Sequence, residues 1–148
     1  MAVNYIPEGH SAVSPYLVVR DVRGLINFLQ QVFDVESVEA AEGADGEIRH
    51  AEVRIGGSTI MMGGAQEGQE QFPGMLHVYV EDTDAHYERA LNAGATSLRA
   101  PVDEFYGDRT GGVQDAFGNQ WWFATHIEDV SPEEMQRRME QAMQSAGQ

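Results

Sequence analysis

Cysteine is absent from this chain of 148 residues, which removes disulfides, thiolate metal sites and thiol nucleophiles together. Basic residues are few: nine Lys and Arg stand against 24 Asp and Glu, a formal net charge of −15. A field of that sign repels phosphate backbones and anionic membrane surfaces, so neither nucleic acid nor membrane is an expected partner. No run approaches the roughly 18 apolar residues of a membrane span. Residues 1–10 lack the basic start and apolar stretch of a targeting segment, and a cytoplasmic location is expected. Ser14, Ser58 and Ser97 have no Gly-x-Ser-x-Gly context, so a serine nucleophile is unsupported. Gly111-Gly112 precedes no helix start, which argues against a phosphate loop.

The length suits one well-buried domain or two small modules sharing a core. Residues 1–13 have no periodicity and read as an arm. Ser14 to Arg20 alternates as a strand, and Asp21 can cap a helix whose Leu25, Phe28, Leu29, Val32 and Phe33 recur at helical spacing. Strands over Val35–Ala41, Ile48–Ile55 and Ser58–Met62, the last two joined at Gly56-Gly57, complete a β-α-β-β-β module over 14–63. Residues 64–74 read as a linker. A second module spans 75–128. It has a strand from Met75, a helix over Thr83–Asn92 stopped at Gly94, a strand over Ala95–Ala100, an irregular Pro101–Phe105, and a hairpin whose Gly118 supplies a positive φ. Within 129–148, Ser131-Pro132-Glu133-Glu134 predicts a helix start with a capping box, and Met135, Met139 and Met143 form a stripe suited to core or subunit contact. Val19-Arg20-Asp21 matches Val80-Glu81-Asp82 (80 − 19 = 61), and Ile55-Gly56-Gly57 matches Phe117-Gly118-Asn119 (117 − 55 = 62), so the two modules read as a duplication.

The stretch YGDRTGGVQDAFGNQWWFATH from Tyr106 to His126, with MLHVYVE from Met75 to Glu81 and the helix after Asp82, resembles the second half of the vicinal oxygen chelate superfamily, which includes glyoxalase I, bleomycin-resistance proteins and extradiol dioxygenases. Within it the stretch looks most like the PhnB-like branch, whose usual Asp-Pro-Phe-Gly run reads Asp115-Ala116-Phe117-Gly118 here. The resemblance implies an α+β fold: two βαβββ modules forming a curled mixed sheet with an open cup, helices on its outer face, in a homodimer. Metal-dependent members carry one ligand on each of four strands. Those positions fall on Ser14, Met61, Met75 and Trp122, none a good ligand, and a Trp side chain offers no lone pair. No cofactor is therefore expected. A relocated divalent metal would have to use His77, His50 and Glu52.

Strand alternation puts Met75, His77 and Tyr79 on the cup side and Leu76, Val78 and Val80 on the helix side. Tyr16, Met61, Met75, Tyr79 and Trp122 then make an aromatic and apolar floor, with His77 and Gln120 as polar points. Two readings stand: the side chains line a ligand site, or they fill space. Arg109 with Asp108 either clamps a polar ligand group or forms an internal ion pair. His77 is the candidate base. His10 and His86 read as surface, and His126-Ile127-Glu128 as a solvated strand end. The expected function is metal-free binding of a small, partly aromatic organic ligand, for sequestration or resistance. The alternatives are a divalent-metal-dependent lyase, isomerase or dioxygenase, and an interaction protein with a filled cup.

Overall fold

The computed structural model describes residues 2–147. The chain forms two compact units, one comprising the residues up to Gly74 with Ala116–Asn119, the other Met75–Asp115 with the residues from Gln120 onward. The elements run β1 (Tyr16–Val19), α1 (Val22–Val32), β2 (Val35–Glu42), β3 (Ile48–Ile55), β4 (Ser58–Gly64), β5 (Met75–Tyr79), α2 (Thr83–Asn92), β6 (Thr96–Asp103), β7 (Asp108–Gln114), β8 (Gln120–His126) and α3 (Pro132–Ala146). The sheets have orders β1-β4-β3-β2 and β5-β8-β7-β6. In each, the first pair is parallel and the other two are antiparallel. The fold is α+β and built of two βαβββ modules.

In the first unit Asp21 accepts from the Gly24 N–H at 2.9 Å and starts α1. The helix lays Leu25, Phe28, Leu29 and Val32 against β3 and β4, where Ala51, Val53, Ile60 and Met62 are buried in turn. Gly56 and Gly57 both take positive φ in the β3–β4 turn, the geometry that a two-residue hairpin requires. The linker is partly tied down. Phe72 and Val18 exchange backbone hydrogen bonds of 2.8 and 3.2 Å, which covers the free edge of β1.

In the second unit Asp82 caps α2 through the Ala85 N–H at 3.0 Å, and Gly94 follows the helix with φ of 101°. The sixth strand departs from expectation. It runs on through Pro101 to Asp103, with register shifts on either side of Arg99. Pro101 is tolerated because β6 is an edge strand and because Gly111 opposite leaves room, a Cβ there lying 3.1 Å from the proline ring. At α3 only half of the capping box forms. Ser131 accepts from the Glu134 N–H at 3.2 Å, but the Glu134 carboxylate turns to Arg137 and Arg138 instead of back to Ser131. The modules repeat at one displacement: Tyr16 stands opposite Met61 and His77 opposite Trp122 (77 − 16 = 61; 122 − 61 = 61). Ile55 and Phe117 are not equivalent, since Ile55 pairs within its hairpin whereas Phe117 lies in a turn longer by three residues.

Candidate functional site

The second sheet has two unlike faces. Trp121 and Phe123 on β8 are fully buried on the α2 side, where Phe123 meets His86 and Thr83 bonds Thr125. Alternate residues therefore lie on the opposite, open face. Strand register sorts them into rows: Met75, Gln120 and Gln114; then His77, Trp122, Gly112 and Arg99; then Tyr79, Ala124, Thr110 and Val102; then His126 and Asp108. The structure thus brings Met75, His77, Tyr79, Gln120 and Trp122 together on one surface.

Trp122 lies flat across Gly112, where a Cβ would come within 2.6 Å of the indole. The glycine is what lets the ring lie down. The Arg99 guanidinium stands 5.2 Å from the ring centroid, and the indole N–H donates to Gln120 Oε1 at 3.2 Å. His77 meets Tyr79 edge-on, with centroids 5.2 Å apart.

Below Trp122 a polar network closes the surface. The Tyr79 hydroxyl donates to Asp108 Oδ2 at 2.8 Å, and His126 Nδ1 stands 2.7 Å from Asp108 Oδ1. His126 Nε2 reaches Asp129 at 2.7 Å. Arg99 pairs with Glu104 at 2.7 Å and bonds Thr110, whose hydroxyl donates to Glu104 at 3.1 Å. Asp108 is only 4% exposed. Burial pushes its carboxyl up, but the bonds from His126 and Tyr79 outweigh that and hold it below the usual carboxylate range. The same carboxylate, with Asp129 second, raises His126 above 6.5. From the sequence only His126, with Ile127 and Glu128, reads as a solvated strand end; Asp108 pairing with His126 across the antiparallel β7–β8 ladder is what joins the two.

That pair makes stability depend on pH. A histidine held above its unfolded value lends stability fully present below pH 6.5 and lost as pH rises through the raised folded value. The melting temperature of the wild type, measured against His126→Gln, should therefore fall as pH rises from about 6.5 through the raised folded value. A constant difference across that range would refute the pairing.

Arg109 belongs elsewhere. It sits on the α2 side of β7, with its guanidinium held by Asp84 at 2.7 and 3.0 Å and by Asp103 at 3.0 Å, so it neither joins the open face nor pairs with Asp108. In the first unit, Tyr16 and Met61 stand opposite each other on the face away from α1, beside His50 and Glu52. Tyr16 Oη lies 3.3 Å from His50 Nδ1. His10 is half-buried and held: its Nε2 meets Glu52 at 3.0 Å, and Gly9 O accepts from Arg54 at 2.6 Å and Thr59 at 2.7 Å, which fastens the arm over this face.

The donor set does not fit the metal that the family resemblance implies. Met61 and Met75 offer thioethers, and the Trp122 ring nitrogen is a donor already spent on Gln120. His50 and Glu52 do meet, at 3.5 Å, and His77 lies on the second sheet against Tyr79. Among the described residues no group of three His, Cys, Asp or Glu side chains is arranged to hold a metal ion.

Comparison with known proteins gives a consistent placement. The model of the Glyoxalase/Bleomycin resistance protein/Dioxygenase superfamily matches residues 9–123. An uncharacterized protein of Mycobacterium bovis, Mb0911c, is 37% identical over 150 residues, covering 94% of this chain and 96% of its own. The crystal structure of TioX from Micromonospora sp. ML1 superposes with a TM-score of 0.66 at 27% identity, over 79% of this chain and 99% of TioX. A glyoxalase/bleomycin resistance protein/dioxygenase family enzyme from Burkholderia phytofirmans PsJN shares the fold, with a TM-score of 0.60 at 20% identity over 76% of this chain and 95% of its own.

Proposed function

The chain belongs to the glyoxalase, bleomycin resistance protein and dioxygenase superfamily, and from that premise we propose that it binds a small, partly aromatic organic molecule on the open face of its second sheet, without a metal ion, and sequesters it. The observation that carries this reading is Trp122, an indole laid flat on Gly112 and flanked by His77, Met75 and Gln120. Met75 is 69% exposed and Tyr79 63%, an unusual display of large apolar side chains on one strand and the kind of surface that small molecules cover. Tyr16 and Met61 form the counterpart on the first unit. The Asp115-Ala116-Phe117-Gly118 run supports the PhnB-like branch. A homodimer accords with Met139 and Met143, both exposed on α3.

A thermal-shift screen of planar aromatic and antibiotic-like compounds tests the reading. A ligand at a hundred times its Kd stabilises by about 2.7 kcal/mol, which raises the melting temperature by several degrees. Trp122→Leu should abolish the shift while leaving the protein folded. If no aromatic compound shifts the wild type, the ligand-binding reading fails.

A further inference from the structure

Two kinds of contact hold down the arm ahead of β1. Gly9 O accepts from the Arg54 guanidinium at 2.6 Å and from the Thr59 hydroxyl at 2.7 Å, bonds between groups that do not titrate near neutrality. The His10 ring makes the others: its Nε2 stands 3.0 Å from Glu52 Oε2, and its Nδ1 3.3 Å from the Glu8 carbonyl oxygen. A carbonyl and a carboxylate only accept. Both ring nitrogens must therefore carry protons for both contacts to be hydrogen bonds, and only the imidazolium has two. The neutral ring gives up one bond and sets a lone pair against an oxygen.

The charged groups around the ring are Glu8 of the arm itself, Glu39 of β2, and His50, Glu52 and Arg54 of β3; β4 brings only the neutral Thr59. Arg54 is already paired with Glu36 at 3.1 Å, so the carboxylates prevail. Glu52 first, then the Glu8 carbonyl, raise His10 above 6.5. The fastened segment and the three strands line a cavity of about 90 Å³. Residues 11–13 are exposed, so no core contact resists a swing of the arm.

We propose that residues 8–10 are a proton-operated latch on the open face of the first sheet: the His10 imidazolium, bridging Glu8 and Glu52, holds the arm closed, and loss of its proton frees the arm and uncovers Glu52, Arg54 and Thr59. The latch does not depend on the ligand-binding reading of the second sheet. Closure is fully favoured below pH 6.5 and weakens as pH rises through the raised closed-state value. A single proton governs it, so the ratio of closed to open arm falls by at most about tenfold per pH unit.

Because the chain has no cysteine, Ser11→Cys gives one site for a nitroxide spin label, and the electron paramagnetic resonance spectrum reads how freely the arm moves. Scanned upward from about pH 5.5, the label should be held at first and become mobile as pH passes through the raised value. Adding His10→Ala should leave it mobile throughout, with the protein still folded because the arm lies outside the core. Adding Glu52→Gln, which keeps an acceptor but removes the charge, should move the release to lower pH. A label equally mobile, or equally held, at every pH overturns the latch. So does a release that persists in His10→Ala, which would assign the titration to His50.

Discussion

Trp121→Ala should cost about 3–5 kcal/mol of unfolding free energy, one of the two largest losses expected from a single substitution in this chain. The indole is fully buried, set between Leu76 of β5 and Val113 of β7, and its Nε1–H donates to Asp115 at 2.8 Å. Truncation removes its burial, opens a cavity between the sheet and α2, and takes a donor from a carboxylate that is 5% exposed. Trp121→Phe keeps most of the volume and loses the hydrogen bond, and should cost about 1–3 kcal/mol. The adjacent residue is the control. Trp122 is half-buried on the open face, so Trp122→Leu should cost well under half as much as Trp121→Ala and act mainly on ligand binding. Urea denaturation of the three variants settles the order, and equal losses at 121 and 122 would mean that the sheet does not have one packed and one open face.

The separation of Trp121 from Trp122 is legible in the sequence because a strand alternates its faces and β8 is regular throughout. The helix caps are legible for a similar reason: Asp21 and Asp82 act on N–H groups three residues away, within reach of a local pattern. What the sequence does not disclose depends on register between distant segments. Chain adjacency suggests a shared role for Asp108 and Arg109, yet adjacency in a strand sends them to opposite faces, and Asp84 on α2 supplies the arginine's partner. His10 gives no local signal, since its contact with Glu52 needs the arm to fold back over β3. Pro101 reads as the end of a strand, whereas an edge position and a glycine opposite make it admissible within one.

The two modules have used their open faces differently. An aromatic side chain lies over a glycine in both, Tyr16 over Gly63 and Trp122 over Gly112, where a Cβ would come within 2.6 Å of it in each case. In the first module the surrounding polar groups are taken up by the chain itself. Gly9 and His10 fasten onto Arg54, Thr59 and Glu52, and His50 turns to Tyr16. In the second module the network stops short of the aromatic row and leaves His77 and the Gln120 amide turned to solvent. The first module has thus closed its open face with its own chain, and the second has left the aromatic row of its open face uncovered by its own network.

Gly107→Ala should cost about 2–4 kcal/mol and should also disable the pH response assigned to His126. Gly107 has φ of 102°, and a Cβ there would collide with the backbone oxygen of Glu128, a main-chain atom that cannot swing aside. Its own carbonyl accepts from the N–H groups of Ile127 and Glu128, at 2.8 and 3.1 Å. Those bonds hold the chain just beyond His126. Forcing the segments apart moves His126 and Asp129 away from Asp108, so the raised histidine should return toward 6.5 and the fall in stability at rising pH should flatten. Gly46→Ala separates the two components of the cost. Gly46 has φ of 81° and a Cβ there would meet nothing within 4 Å, so alanine faces only the backbone penalty, about 1–2 kcal/mol. If the two alanines cost the same, the close approach at Glu128 is not tight; if Gly107→Ala costs more and the pH response survives, that approach is tight but does not position His126.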